Sequence, residues 1–279
     1  MNITDQDINL FNTVLKATSI YDFTEYSDKS LKRRLAKVIL DHKVDVPGLL
    51  TEMKRSKEFL ERVIRDITVN TTELFRDPPI WLALKNNVLP QYKNSSSLNI
   101  WHAGCSTGQE VYSMIILLNE MGLLEKAKIF GTDINSEVLN QAAKGVYKYR
   151  FNISYLDNFD KVIRANPVNG EPQTEVPYDK YFEIDKTRDY IKMNSFLIEK
   201  PQFRKHDLVK EDNIFYSKFD LIICRNVIIY FNYDLQNKVF NLFHRNLHEG
   251  GSLVLGMHES ILGPYTANFE KKDMIYFKK

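Results

Sequence analysis

Four short stretches of the 279-residue chain combine residue types and spacing that could hold a nucleotide-like ligand. The first is Ala103-Gly104-Cys105-Ser106-Thr107-Gly108-Gln109-Glu110, after a short apolar run at 98–102 and before a helix predicted over 110–121. Its two glycines would let backbone approach a ligand, and the helix N-terminus would supply free N–H groups. It is not a G-x-G-x-x-G string and lacks the lysine of a P-loop, and any tight strand-to-helix turn could carry two glycines. The second is Asp133, 29 residues beyond Gly104 at the end of the next predicted strand, where a carboxylate suits the two hydroxyls of a ribose or simply caps a helix. In the third, His206-Asp207-Leu208, Asp207 could accept from an adenine amine or sit in a surface turn. The fourth is Cys224-Arg225-Asn226-Val227, at the end of the most apolar strand, where a polar Arg-Asn pair is costly unless bonded. Adenosine-like binding follows, with NAD and S-adenosylmethionine in competition. The missing third glycine argues against NAD, as does a closing C-terminal strand with no helix after it. Methyl transfer leads.

These loops need a parallel sheet to position them, and the second part of the chain reads as one. Strands are predicted at 98–102, 128–132, 219–224 and 252–257, alternating with helices at 110–121, 135–144 and 234–248, and 269–277 reads as the closing antiparallel strand. Residues 166–201 interrupt this rhythm with a Pro/Gly-rich start and two strand-like runs, 181–184 and 190–193, which suggest a small β insertion. Residues 4–69 are helical in pattern instead. Leu31, Leu35, Val38 and Ile39 form one apolar stripe, and Lys29, Lys32, Arg33 and Lys37 share the opposite face. Pro47 and Gly48 break that pattern before a second helix predicted over 49–64.

Length predicts two domains, and 43% hydrophobic with 12% aromatic residues excludes a wholly disordered chain. The net charge of +2 conceals an asymmetry. Residues 1–28 carry one lysine against five acids, residues 29–65 carry eleven bases against five acids, and the rest balances at 26 against 26. The basic helix is either a solvated face or a docking surface for something acidic. Cys105 and Cys224, 119 apart, offer neither a disulfide framework nor a metal knuckle. They end the strands flanking the expected switch point, as apolar fillers or as neighbours. The N-terminus has no signal-peptide pattern and no apolar run approaches a membrane span, so a cytoplasmic protein without direct membrane insertion is expected.

Several strings together resemble the bacterial chemotaxis receptor methyltransferases of CheR type, which use S-adenosylmethionine to esterify receptor glutamates. They are Leu31-Lys32-Arg33-Arg34-Leu35, Asn70-Thr71-Thr72-Glu73-Leu74-Phe75-Arg76-Asp77, Cys105-Ser106-Thr107-Gly108-Gln109-Glu110-Val111-Tyr112-Ser113, Gly131-Thr132-Asp133-Ile134-Asn135, Cys224-Arg225-Asn226-Val227-Ile228-Ile229-Tyr230-Phe231 and Gly256-Met257-His258-Glu259-Ser260. The resemblance implies an α/β protein: a doubly wound, Rossmann-like methyltransferase sheet with a C-terminal antiparallel strand, a small β insertion and an N-terminal all-helical domain. The expected boundaries are 1–69 for the helical domain, 70–97 for a linker and helix contributing to the cofactor pocket, and 98–279 for the methyltransferase domain, with the insertion at about 166–201. S-adenosylmethionine, leaving as S-adenosylhomocysteine, would touch Asn70, Thr72, Arg76, Glu110, Asp133, Asp207, Asn226 and Val227, with Gly104 and Leu208 in the same loops. A capping run, with Thr72 or Asn70 starting a helix, is compatible with that assignment. The family more often has an acid at Gln109 and an Asn at Asp207. The insertion resembles the family's receptor-tethering subdomain, here longer and without a clear glycine turn. Asp77-Pro78-Pro79-Ile80 is similar to the Asp-Pro-Pro-Tyr motif of amino-group methyltransferases, but it does not follow an apolar strand, and prolines opening a helix explain it better.

The implied chemistry needs no general base. A sulfonium methyl is already activated, and a glutamate acceptor, with a reference pKa of about 4.3, is ionised at neutral pH. The enzyme must align oxygen, methyl and sulfur and strip water from the carboxylate. Neither a Ser-His-Asp constellation nor a metal is expected, and the six histidines show no H-x-x-x-H spacing. Arg76 and Tyr230 are the candidates for positioning the substrate, against a plain surface ion pair and a core aromatic. Lys29, Lys32, Arg33 and Lys37 would dock the expected partner, the cytoplasmic domain of a methyl-accepting chemotaxis receptor, with the enzyme a monomer recruited to membrane-bound arrays. Two other readings compete: a methyltransferase for a small molecule or nucleic acid, for which the basic segment is thin, and a non-catalytic nucleotide-binding signalling module.

Overall fold

The computed structural model describes residues 3–68, 70–164 and 176–279. The chain forms two compact units, Met1–Asn70 with Val227–Phe240, and Thr71–Asn226 with Asn241–Lys279.

In the first unit, α1 (Asp5–Thr18) opens with a capping box in which Thr4 and Asp7 bond reciprocally. α2 (Asp28–His42) buries Leu31, Leu35, Val38 and Ile39, the predicted stripe. The helix predicted over 49–64 is instead two, α3 (Val46–Arg55) and α4 (Lys57–Ile67). Ser56 turns extended between them, and its hydroxyl accepts from Phe59 N at 3.1 Å to start α4. Pro47 does not break the pattern; it lies in the first turn of α3, where its missing N–H is not needed. The returning segment is pinned to the α1–α2 connection. Tyr26 and Phe231 form an antiparallel bridge, Ser27 N donates to Tyr230 O at 2.8 Å, and Asn232 N donates to Glu25 O at 2.9 Å.

The second unit starts with α5 (Pro78–Ala83), opened by two prolines as the sequence suggests. β1 (Leu98–Ala103), α6 (Gln109–Glu120), β2 (Ala127–Asp133) and α7 (Ser136–Lys144) follow in alternation. Next come β3 (Val146–Lys148), α8 (Tyr149–Phe159), β4 (Phe182–Asp185), β5 (Tyr190–Met193), α9 (Ser195–Glu199) and β6 (Pro201–Lys205). β7 (Phe219–Cys224), α10 (Tyr233–Asn246), β8 (Leu247–Leu255), β9 (Phe269–Lys272) and β10 (Ile275–Lys278) complete it, with α10 spanning the chain's return between the units. Among the described residues the main sheet runs β6-β2-β1-β7-β8-β10-β9. Its first five strands are parallel, and β10 and β9 are antiparallel. The predicted closing strand is therefore a hairpin, turned at Asp273 with φ 54°. The order reverses between β1 and β7, so the loops after these strands lie at the switch point.

β3, β5 and β4 make a separate antiparallel sheet. The Pro/Gly-rich start predicted for the insertion, residues 166–175, lies outside the described residues. Its turn carries no glycine because Asp189 takes the left-handed position at φ 55°, and the Asp189 carboxylate accepts from Arg150 N at 3.0 Å.

Gly108 is the glycine the fold most needs. At φ 88° it opens α6, and a Cβ there would meet the Ala142 Cβ at 2.8 Å. Gly122, at φ 67°, has open space around it. Gly108→Ala is expected to lower the unfolding free energy by about 3 kcal/mol, from left-handed strain plus overpacking, and Gly122→Ala by about 1 kcal/mol, from strain alone. Denaturant unfolding followed by the fluorescence of Trp81 and Trp101, both in this unit, checks the difference, and equal losses would refute it.

Candidate active site

In the second unit the end of β7, the first turn of α6 and the start of α5 are tied together by one side chain. Arg225, the residue after β7, has a side chain only 2% exposed. It donates to Glu110 Oε2 at 3.1 Å, to Asp77 Oδ2 at 2.6 Å and to the Arg76 carbonyl at 2.8 Å. Glu110 lies in the first turn of α6, where the helix dipole favours a carboxylate, and its other oxygen meets His102 Nδ1 at 3.0 Å. Burial alone would raise the Glu110 pKa. The His102 hydrogen bond and the Arg225 charge outweigh it and hold the group below its ordinary value.

The segment before α5 is fixed along its backbone. Phe75 N donates to Ser113 Oγ at 2.8 Å, and the Arg76 carbonyl also accepts from Trp81 Nε1 at 2.9 Å. The Arg76 side chain is half-buried and makes no hydrogen bond or ion pair among the described residues. Arg76 is therefore a cation whose backbone is held and whose guanidinium is uncommitted, not half of a surface ion pair.

The glycine loop after β1 is held from two sides. Asp133, at the end of β2, accepts from Ser106 N at 2.9 Å and from Asn135 N at 3.0 Å, while Asn135 and not Asp133 caps α7. Burial raises the Asp133 pKa against these backbone bonds. The Tyr147 hydroxyl of β3 donates to the Thr107 carbonyl at 2.6 Å. Gly104 has φ 80°, and Ser106, Phe75, Asp77 and Asn226 also sit in the left-handed region, at φ 52°, 50°, 57° and 60°. Such strain concentrates at functional sites. Asn226 is kept there by Glu259, whose Oε2 accepts from Asn226 N and from Gly256 N, each at 2.7 Å.

Asp207 forms a turn, accepting from Val209 N at 2.9 Å while its own N donates to Glu211 at 2.6 Å; burial raises its pKa. Leu208 is half-buried in the same turn, and Thr72 half-buried ahead of α5. Cys105 and Cys224 are free and buried, and burial followed by nearby carboxylates pushes both thiols up, so neither is a thiolate at neutral pH.

The other predicted residues belong to the first unit. Asn70 starts no helix; its amide donates to Arg65 O at 2.8 Å and Thr68 O at 2.9 Å, closing the end of α4. Val227 begins the returning segment. The Tyr230 ring is half-buried rather than core, its hydroxyl makes no hydrogen bond among the described residues, and the Arg34 guanidinium stands 5.9 Å from the ring centroid. On α2, Lys32 pairs with Asp5 at 2.6 Å and Lys37 with Asp41 at 2.6 Å. Lys29 and Arg33 are exposed and make no ion pair among the described residues.

A family model described as "CheR methyltransferase, SAM binding domain" matches residues 70–159 and 171–276. The chain belongs to the CheR methyltransferase family. It is 36% identical to Cher3 of Pseudomonas putida over 96% of this chain and 93% of that protein. It is 30% identical to a chemotaxis protein methyltransferase of Listeria monocytogenes over 93% and 92%, and 28% identical to one of Vibrio anguillarum over 97% and 94%. As a CheR protein it is an S-adenosylmethionine-dependent methyltransferase. The site fits that cofactor. Gly104 puts no side chain over the loop after β1 while Gly108 packs against Ala142, the Glu110 carboxylate stands in the first turn of α6 and that of Asp133 at the end of β2, and the Ser106 hydroxyl is buried without a partner among the described residues.

His102 and Tyr147 are absent from the residues the sequence singles out, and Glu259 stands there only within the Gly256–Ser260 string. A histidine inside an apolar run is the signal for His102; Tyr147 has none.

Because the Glu110 pKa is depressed, its contribution to stability is complete above about pH 4.5, the ordinary value, and is lost as pH falls through the lower folded value. The stability difference between the wild type and Glu110→Gln is expected to be constant above pH 4.5 and to shrink below it. Urea titrations followed by tryptophan fluorescence from pH 3 to 7 check this; a difference that grows on acidification would contradict it.

Proposed function

We propose that this CheR-family enzyme methylates glutamate side chains on the cytoplasmic helices of chemoreceptors, giving methyl esters in chemotaxis adaptation. The observation that carries the reading is Arg76, a cation with its backbone held by Trp81 and Arg225 and its guanidinium uncommitted. A planar guanidinium suits a carboxylate acceptor, which a small apolar or nucleobase substrate would not supply. The Listeria and Vibrio relatives, named chemotaxis protein methyltransferases, support the same substrate class.

When bound, S-adenosylmethionine supplies a methyl group on a sulfonium centre. The new bond is between the glutamate oxygen and the methyl carbon, the carbon–sulfur bond breaks, and its electron pair stays on sulfur. No proton moves, so no base is required. Arg76 holds the acceptor carboxylate loosely enough to leave an oxygen lone pair for attack. Thr72, Arg76, Gly104, Glu110, Asp133, Asp207, Leu208 and Asn226 are the second unit's cofactor contacts in this reading. Lys29 and Arg33, which of the four basic docking candidates on α2 make no ion pair among the described residues, attract the acidic receptor helix. Recruitment to receptor arrays follows from that attraction.

Incubating the enzyme and tritium-labelled S-adenosylmethionine with a receptor cytoplasmic fragment is expected to give base-labile label. Label stable to base would sink the glutamate assignment. Arg76→Ala is expected to slow transfer about tenfold or more while S-adenosylhomocysteine binding changes much less; unchanged turnover would remove Arg76 from the mechanism. The rate on the receptor fragment is also expected to fall with added salt, and to fall less steeply after Lys29→Ala with Arg33→Ala. Equal salt slopes would separate α2 from docking.

A further inference from the structure

We propose that His102 is a positioning residue that fixes Glu110 for the cofactor. This rests on the assignment of Glu110 as a cofactor contact. His102 is the fifth residue of β1, fully buried, and its Nδ1 lies 3.0 Å from Glu110 Oε1. Its other nitrogen, Nε2, is buried with no partner among the described residues. Burying an unbonded polar atom is costly, and an apolar residue of similar size would fill the strand position without that cost. Among the described residues the ring's one hydrogen bond goes to Glu110, so that bond is what the histidine contributes.

The consequence is geometric. Arg225 holds Glu110 Oε2, and a carboxylate gripped at one oxygen can still swing about its Cγ–Cδ bond. His102 takes the other oxygen and stops the rotation, so the remaining lone pairs present a fixed acceptor and a fixed negative charge. A ligand carrying an ammonium group, a sulfonium and sugar hydroxyls gains from an acceptor that need not be ordered on binding. His102 reaches the cofactor only through Glu110. Its loss is therefore felt in cofactor affinity more than in the methyl-transfer step.

The test is calorimetric titration of the full chain with S-adenosylhomocysteine, together with KM for S-adenosylmethionine and kcat on the receptor fragment. Asn places an amide N–H near the position of Nδ1, whereas Gln reaches the position of Nε2 and Leu donates nothing. His102→Leu and His102→Gln are expected to weaken S-adenosylhomocysteine binding about tenfold and to raise KM in parallel, with kcat at saturating cofactor within about threefold of the wild type. His102→Asn is expected to retain affinity within about threefold. The Asn and Gln variants keep a polar side chain, so their contrast stands even if the Leu variant does not fold. Equal affinities for His102→Asn and His102→Gln would overturn the proposal, as would a fall in kcat with KM unchanged. Glu110→Gln separates the two assignments: if it binds S-adenosylhomocysteine as tightly as the wild type, Glu110 is not a cofactor contact and the role of His102 falls with it. A wild type that binds S-adenosylhomocysteine but labels no receptor fragment would remove the substrate assignment alone.

Discussion

The second unit's site depends on one buried guanidinium. Arg225 meets two carboxylates and a carbonyl, from the start of α6 and the turn before α5, while it is anchored at the end of β7. The guanidinium is only 2% exposed, and leaving a charge that far from water without a partner is costly. That cost makes the loop geometry specific. The left-handed Asp77 and Asn226 flank the bonds that restrain them, Asp77 through its own carboxylate and Asn226 through Glu259. The same network leaves the Arg76 guanidinium uncommitted, because every bond made to Arg76 among the described residues goes to its backbone.

This arrangement suits a reaction in which the enzyme aligns rather than activates. The methyl donor is activated by its own charge and the acceptor is already ionised, so the protein's task is to fix loops and exclude water. Its rigid parts accordingly serve orientation: Glu110 gripped on both oxygens, Asp133 bonded to the glycine loop, and Tyr147 holding Thr107. The two thiols near the switch point are buried and protonated at neutral pH, and enter no step.

The sequence revealed the parallel sheet because its strands are apolar and its loops carry glycine, Asp133 and the Arg225-Asn226 pair at strand ends. Those local patterns placed β1, β2, β7 and their helices to within a few residues. It was less informative wherever tertiary context decided. Ser56 splits one amphipathic run in two by capping the second half, and Asp189 does a turn's work normally given to glycine. β3 and β6 are short segments without strong alternation and exist only because partner strands pair with them. In the site, single residues at loop tips were legible, but their bonds were not. Nothing in the spacing of Asp77, Glu110 and Arg225 announces that they share one network, and His102 looks like any polar residue in a strand until Glu110 is beside it.

The most direct test of a site held together by Arg225 is a double-mutant cycle of Asp77→Asn and Glu110→Gln, read as S-adenosylhomocysteine affinity by calorimetry. The two carboxylates bond to Arg225 and share no bond with each other. Their effects are expected to be non-additive by more than about 0.5 kcal/mol, because each change alters what the guanidinium can do for the other. Additive effects would contradict a single network and leave two independent contacts in its place.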